Sequence, residues 1–176
     1  MENPIGTDFF EIQQFRQIWI WAFILPVSLF LLGHFGVGVI KPLFFGEPEE
    51  HNPTALVIIA RSVSLLIGLG LPILAYKIKM ITEAKDGGIY IYFYPFKQEQ
   101  IPFEDIVNFE ARNYNALKEY GGWGIRTGLN GRAYNVSGNR GVQLELAGDK
   151  RLLIGSQRSD ELARVIQANQ DQNDRH

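Results

Sequence analysis

The sequence predicts an α+β protein: an N-terminal transmembrane helical hairpin, then a small antiparallel β-barrel or sandwich of about seven strands, capped by a C-terminal α-helix. Three observations predict it. Two long apolar stretches, 17–40 and 55–76, stand close together and the chain on either side is polar. At Lys79 the apolar period changes from helical to alternating. Near the C-terminus it turns helical again, with Leu162, Val165 and Ile166 at i, i+3 and i+4.

The first apolar stretch lies between Arg16 and Lys41 and carries no formal charge. About 20 such residues cross a bilayer core of roughly 30 Å. Trp19 and Trp21 sit at its start, where indole rings favour the headgroup level. Pro26, Gly33, Gly36 and Gly38 would weaken a helix in water and are tolerated in a membrane. The second stretch follows Pro53-Thr54, a helix-start signal. It holds Arg61, near enough to an end to reach the interface, and closes at Lys77 and Lys79. Ala60, Ser64 and Gly68 recur every four residues, a small-residue stripe that lets membrane helices approach closely. Gly68 to Pro72 suggests a kink. His34 and Arg61 are too few ionisable groups for a proton or ion path and read as packing and interfacial residues.

The segment 1–16 is acidic and followed by too long an apolar run for a cleaved signal, so the first helix is expected to stay. Phe9, Phe10, Ile12 and Phe15 suggest an amphipathic turn on the membrane surface. The loop 41–54 has one lysine against Glu47, Glu49 and Glu50; the other side has Arg16, Lys77, Lys79 and Lys85. That bias places both termini in the cytoplasm and the loop outside.

In the soluble part, 79–168, Met80 to Lys85 reads as a strand and Asp86-Gly87-Gly88 as a hairpin turn. Ile89, Ile91 and Phe93 then alternate with Tyr90, Tyr92 and Tyr94. Pro95-Phe96 turns the chain into Lys97–Ile101, and Pro102 to Asp105 is a one-turn connector. Ile106 to Tyr114 alternates, with Ile106, Asn108, Glu110 and Arg112 opposing Val107, Phe109 and Ala111. Short strands at Trp123–Thr127, Ala133–Val136, Val142–Leu146 and Arg151–Ile154 are separated by turns. Ser159, Asp160 and Glu161 open the last helix. Residues 169–176 lack apolar side chains and are expected to be a disordered tail.

About seven short strands and one C-terminal helix resemble the small bacterial membrane proteins in which two spans precede a PH-like domain. The resemblance is carried by Ile101-Pro102-Phe103-Glu104-Asp105-Ile106, by Tyr120-Gly121-Gly122-Trp123-Gly124-Ile125-Arg126, by Asn135 to Val142, and by Leu153 to Arg158. It implies a PH-like fold and a bacterial inner membrane; PH-like domains serve many roles.

Composition narrows function. A net charge of −2 predicts no nucleic-acid partner. Cysteine is absent, so thiolate chemistry is excluded, and the three histidines are too scattered for a metal site. The glycine-rich run from Tyr120 to Gly141 lacks the Gly-Lys-Ser/Thr of a phosphate loop. No cofactor and no catalysis are expected; the outward carboxylates Glu104, Asp105, Glu110, Glu119 and Glu145 have ordinary strand or loop positions. From Lys77 onward 14 Lys and Arg face 13 Asp and Glu, and Lys85 stands beside Asp86 at the first hairpin, so a basic lipid-headgroup pocket is the weaker alternative. The expected role is a membrane-tethered, non-enzymatic module that binds a protein partner or itself. The candidate interaction residues are Trp123, Arg126, Tyr134, Asn135, Ser137, Asn139 and Arg140, aromatic and arginine side chains in a glycine-shaped region. The structural alternative assigns Trp123 to the core, Asn135 to Arg140 to turn hydrogen bonds, and Arg126 to a pair with Glu110 or Glu145.

Overall fold

The computed structural model describes residues 8–46, 54–85, 87–128 and 130–173. The expectations for residues 1–7, for 47–53 of the connecting loop and for the last three residues of the tail lie outside these. The chain forms two compact units, 16–77 and the remainder.

The helical unit is a pair of packed helices, α1 (Ile18–Phe45) and α2 (Ala55–Lys77). Both are long and apolar enough to cross a membrane, with mean hydropathy 2.0 over 18–39 and 2.2 over 55–77. α1 continues past Ile40 and ends at Gly46, whose φ of 64° supplies the left-handed cap. α2 continues as helix through Pro72. Large apolar side chains such as Phe23, Phe30, Leu56 and Leu66 point outward. The inward seam is small and polar. Ser28, Ser64 and Gly68 are buried. A Cβ on Gly68 would meet Leu32 at 3.0 Å. Ala60, the third member of the expected stripe, is exposed. Arg61 turns toward α1, where its Nη1 donates to the Gly38 carbonyl at 3.2 Å and its guanidinium occupies the space a Gly38 Cβ would need. Ser64 Oγ lies 3.3 Å from His34 Nδ1.

The β unit holds two sheets. The first has the order β1 (Phe9–Gln14), β2 (Lys79–Lys85), β3 (Gly88–Tyr94), β4 (Lys97–Pro102), all antiparallel. A 3₁₀ turn, Phe103–Asp105, leads to the second. Its strands are β5 (Ile106–Asn113), β6 (Gly124–Gly128), β7 (Gly131–Asn135), β8 (Arg140–Leu146) and β9 (Lys150–Gly155), in the order β5-β8-β9-β7-β6. A five-residue helix, α3 (Ala116–Tyr120), follows β5, and α4 (Ser159–Asn173) closes the chain.

Five expectations are corrected. The described residues contain nine strands in two sheets rather than about seven. They are not all antiparallel: β7 pairs with β9 in parallel, Arg132 to Leu152 and Tyr134 to Ile154. Residues 9–14 are not a surface turn but the edge strand β1, paired with β2 from Phe9–Ala84 to Gln14–Lys79. The C-terminal helix runs to Asn173, because Gln170 Nε2 donates to the Ile106 carbonyl at 2.7 Å and ties the apolar-free turn to β5. A bulge between Ile106 and Asn108 also breaks the expected alternation, so Ile106 is buried with the core while Asn108 and Glu110 are exposed.

One core joins both sheets and α4. It contains Phe9, Met80, Ile89, Ile91, Tyr134, Val142, Leu144, Leu152, Ile154, Leu162 and Ile166. On the opposite face of the second sheet a smaller cluster, Tyr114, Ala116, Tyr120, Ala133 and Leu153, seats α3. Strand alternation divides these: Tyr134 faces the main core, and its neighbour Ala133 faces α3.

Candidate functional site

The glycine-rich segment folds as connectors, and this decides what its side chains do. The indole Nε1 of Trp123 donates to the Gly138 carbonyl at 3.3 Å, while its ring packs on the smaller cluster. Asn135 is buried and its Oδ1 accepts from Gly124 N at 2.9 Å. Gln157 Nε2 donates to the Ser137 carbonyl at 3.3 Å, and the Asn139 carbonyl accepts from Tyr114 N at 2.8 Å. Trp123, Asn135, Ser137 and Asn139 thus knit the β7–β8 turn to its neighbours. Arg126 is exposed and its Nε donates to the Trp123 carbonyl at 2.9 Å, in place of the expected pair with Glu110 or Glu145. Arg140 grips Asp160 in the first turn of α4 with two bonds, at 2.9 and 3.0 Å.

Tyr134 stands apart from this group. It belongs to a polar cluster between β4 and β7, where its hydroxyl donates to Glu99. Arg132 lies 2.7 Å and Lys97 3.2 Å from the same carboxylate. Burial works against the Glu99 charge, but the bonds from Tyr134, Arg132 and Lys97 prevail and hold its pKa below the ordinary value. This cluster ties the two sheets together.

A groove that sequence reasoning did not find opens on the α3 face of the second sheet. It has a volume of about 360 Å³ and is lined by Glu110 and Arg112 of β5, Gln143 and Glu145 of β8, Arg151 of β9, Glu119 of α3, and Asn130. Arg112 organises it. Its Nη2 donates to Glu119 at 2.7 Å and to Gln143 Oε1 at 3.0 Å. The Tyr120 hydroxyl donates to the same Gln143 oxygen at 3.1 Å. Arg112 holds the Glu119 carboxyl below its usual range, and Glu119 raises the guanidinium. Burial pushes the Tyr120 hydroxyl up. Arg151 pairs with Glu145 at 3.4 Å.

α3 is fixed locally. Asn115 Oδ1 accepts from Lys118 N at 3.0 Å, Glu119 Oε1 accepts from Asn115 N at 2.7 Å, and Gly121 closes the helix at φ 73°. Those capping residues were the readable signal for α3. The groove itself needs β5, β8 and β9 side by side, and local patterning does not set that neighbourhood. Deeper, burial raises the Tyr114 hydroxyl to about 12, against the pull of the adjacent Asn135 amide. Among the described residues no group of three His, Asp or Glu side chains is placed to hold a metal ion.

Compared with protein-family models and with curated protein sequences, the chain matches none. The functional reading therefore rests on the groove and on how the β unit is built.

Proposed function

We propose that the chain is an integral protein of the bacterial inner membrane that presents a PH-like, non-enzymatic module for binding a protein partner or a second copy. The observation that carries this reading is the groove across β5, β8 and β9. It is open and polar, and both of its arginines are already paired, Arg112 with Glu119 and Arg151 with Glu145. Pre-paired charges of both signs suit a polar protein surface, where they give register and partner choice more than raw affinity. A phosphate-rich ligand would meet Glu110, Glu119 and Glu145 there.

The alternative, a lipid-headgroup pocket at the first hairpin, is weakened by the state of Lys85. Its ammonium lies 3.2 Å from Glu83 and 4.9 Å from the Tyr90 ring centroid, so it is largely committed.

The strand pairing supports two crossings with both termini on one side, and the Lys and Arg bias of the flanks favours the cytoplasm for that side. The chain leaves the β unit after β1 and re-enters at β2, and these strands are neighbours in register, Gln14 opposite Lys79. Two antiparallel spans of 22 and 23 residues return the chain to where it left; one span would not.

A photoreactive residue at Glu110, in the full chain in native membranes, tests the proposal against the same residue at Glu104, which is exposed and outside the groove. A discrete protein adduct from position 110 alone, reduced several-fold by Arg151→Glu, is expected. A lipid adduct, or the same products from both positions, would overturn it.

A further inference from the structure

We infer that the β3–β4 turn is a second membrane anchor, with Tyr94 and Phe96 entering the headgroup layer of the bilayer that α1 and α2 cross. This rests on the two-span reading above. The register of the first sheet carries it. Gln14 pairs with Lys79, Lys79 with Tyr94, and Phe93 with Lys97. The turn Pro95-Phe96 therefore lies at the same end of the sheet as both chain connections to the helices. Neighbouring strands are about 4.8 Å apart, which puts Tyr94 about 10 Å from Gln14.

Those connections are short and pinned. Only Ile78 separates α2 from β2, and residues 15–17 separate β1 from α1. Ile78 and Phe15 both pack against the main core, and the Phe15 ring meets Phe93 edge-on at 6.2 Å. A single residue reaches about 3.5 Å, so the chain passes from the last residue of α2, Lys77, to the first of β2, Lys79, with one residue between them.

The side chains at that end have the composition of an interfacial belt. Phe96 is 58% exposed and Tyr94 50% exposed, although this is a large apolar ring and a tyrosine on a rigid turn closed by Phe96 N donating to Phe93 O at 2.7 Å. Lys79 Nζ lies 6.0 Å from the Tyr94 ring centroid. At the end of α2 stand Tyr76, 65% exposed, and Lys77. Tyrosines at the headgroup level with lysines beside them are how proteins fix their depth in a bilayer, and the lysines complement anionic phosphates. The other end of the sheet, with Lys85, Gly88 and Pro102, lies about 20 Å further along the strands. The occupant is thus the lipid interface itself, held by two aromatic rings and charge, with no headgroup pocket.

The absence of native cysteine makes the test clean. Single-cysteine variants Phe96→Cys, Glu104→Cys and Leu66→Cys of the full chain are labelled with a fluorophore. They are reconstituted in vesicles of phosphatidylcholine with one quarter phosphatidylglycerol, containing nitroxide lipids with shallow or deep quenchers. The label at 96 is expected to be quenched by the shallow nitroxide at least about twofold more than the label at 104, and the label at 66 by the deep one. If 96 is quenched no more than 104 while 66 is quenched, the anchor is wrong and the spans stand. If 66 is also unquenched, the two-span reading fails and the anchor fails with it.

Discussion

Phe9→Ala is expected to destabilise the β unit by about 3–5 kcal/mol, the usual cost of removing a buried phenyl ring. That is a large share of the roughly 5–15 kcal/mol that holds a domain folded. Phe9 is fully buried in the core that joins both sheets, and the Arg158 guanidinium stands 5.1 Å from its ring centroid. The strand around it is held from afar. Glu11 is buried, accepting from the Ser156 hydroxyl and, at 2.9 Å, from Gln157 N. Gln13 Nε2 donates to the Gly155 carbonyl at 2.8 Å, and Arg158 Nη1 to the Phe10 carbonyl at 3.0 Å. Hydrogen exchange of the full chain in micelles, read on the amides of β8 and β9, checks it. Loss of protection there is the expected result; a segment lying on the membrane surface would leave those amides unchanged.

Gly131→Ala is expected to cost about 2–4 kcal/mol, because two penalties coincide. Gly131 has φ 97°, and a Cβ there would stand 2.3 Å from the Arg151 carbonyl oxygen. That oxygen is backbone of β9, so relief requires parting β7 from β9 where Arg132 meets Leu152. Gly148→Ala isolates the first penalty. Its φ is 77° with nothing within 4 Å, so it should cost only about 1–2 kcal/mol. Denaturant unfolding of the full-length variants, followed by tyrosine and tryptophan fluorescence, measures the difference. Equal costs for the two variants would mean that β7 does not approach β9 as described.

The features legible in the sequence are those with a strong local period. Two apolar runs of span length, the clean alternation of Ile89 to Tyr94, and the Leu162–Ile166 face of α4 were read without knowledge of any partner. β1 was missed because its inward side chains after Phe9 are Glu11 and Gln13, and polar residues inside erase the alternation that marks a strand. Their partners, Ser156, Gln157 and Gly155, lie more than 140 residues away. The parallel β7–β9 pair was missed for a related reason: pattern fixes which face is buried and leaves the neighbouring strand open. α3 is too short to show a period, and only its caps Asn115 and Gly121 mark it.

The candidate residues divide along the same line. Trp123, Asn135, Ser137 and Asn139 were singled out for composition, and each has a turn or connector bond to make. Tyr134 and Arg140 serve as ties, to Glu99 and to Asp160. The groove residues Arg112, Glu119, Gln143 and Arg151 look ordinary one at a time and acquire meaning only in register.

One β-sandwich is built from the chain on both sides of the helical hairpin, and cross-strand bridging tests this directly. Ile12 and Ile81 are direct cross-strand partners on β1 and β2, and Ile81 and Tyr92 are partners on β2 and β3. The pairs Ile12→Cys with Ile81→Cys and Ile81→Cys with Tyr92→Cys, made in the cysteine-free chain, are treated in native membranes with a short thiol-bridging reagent. Efficient bridging of both pairs is expected. Bridging of 81 to 92 with 12 left unlinked would contradict it.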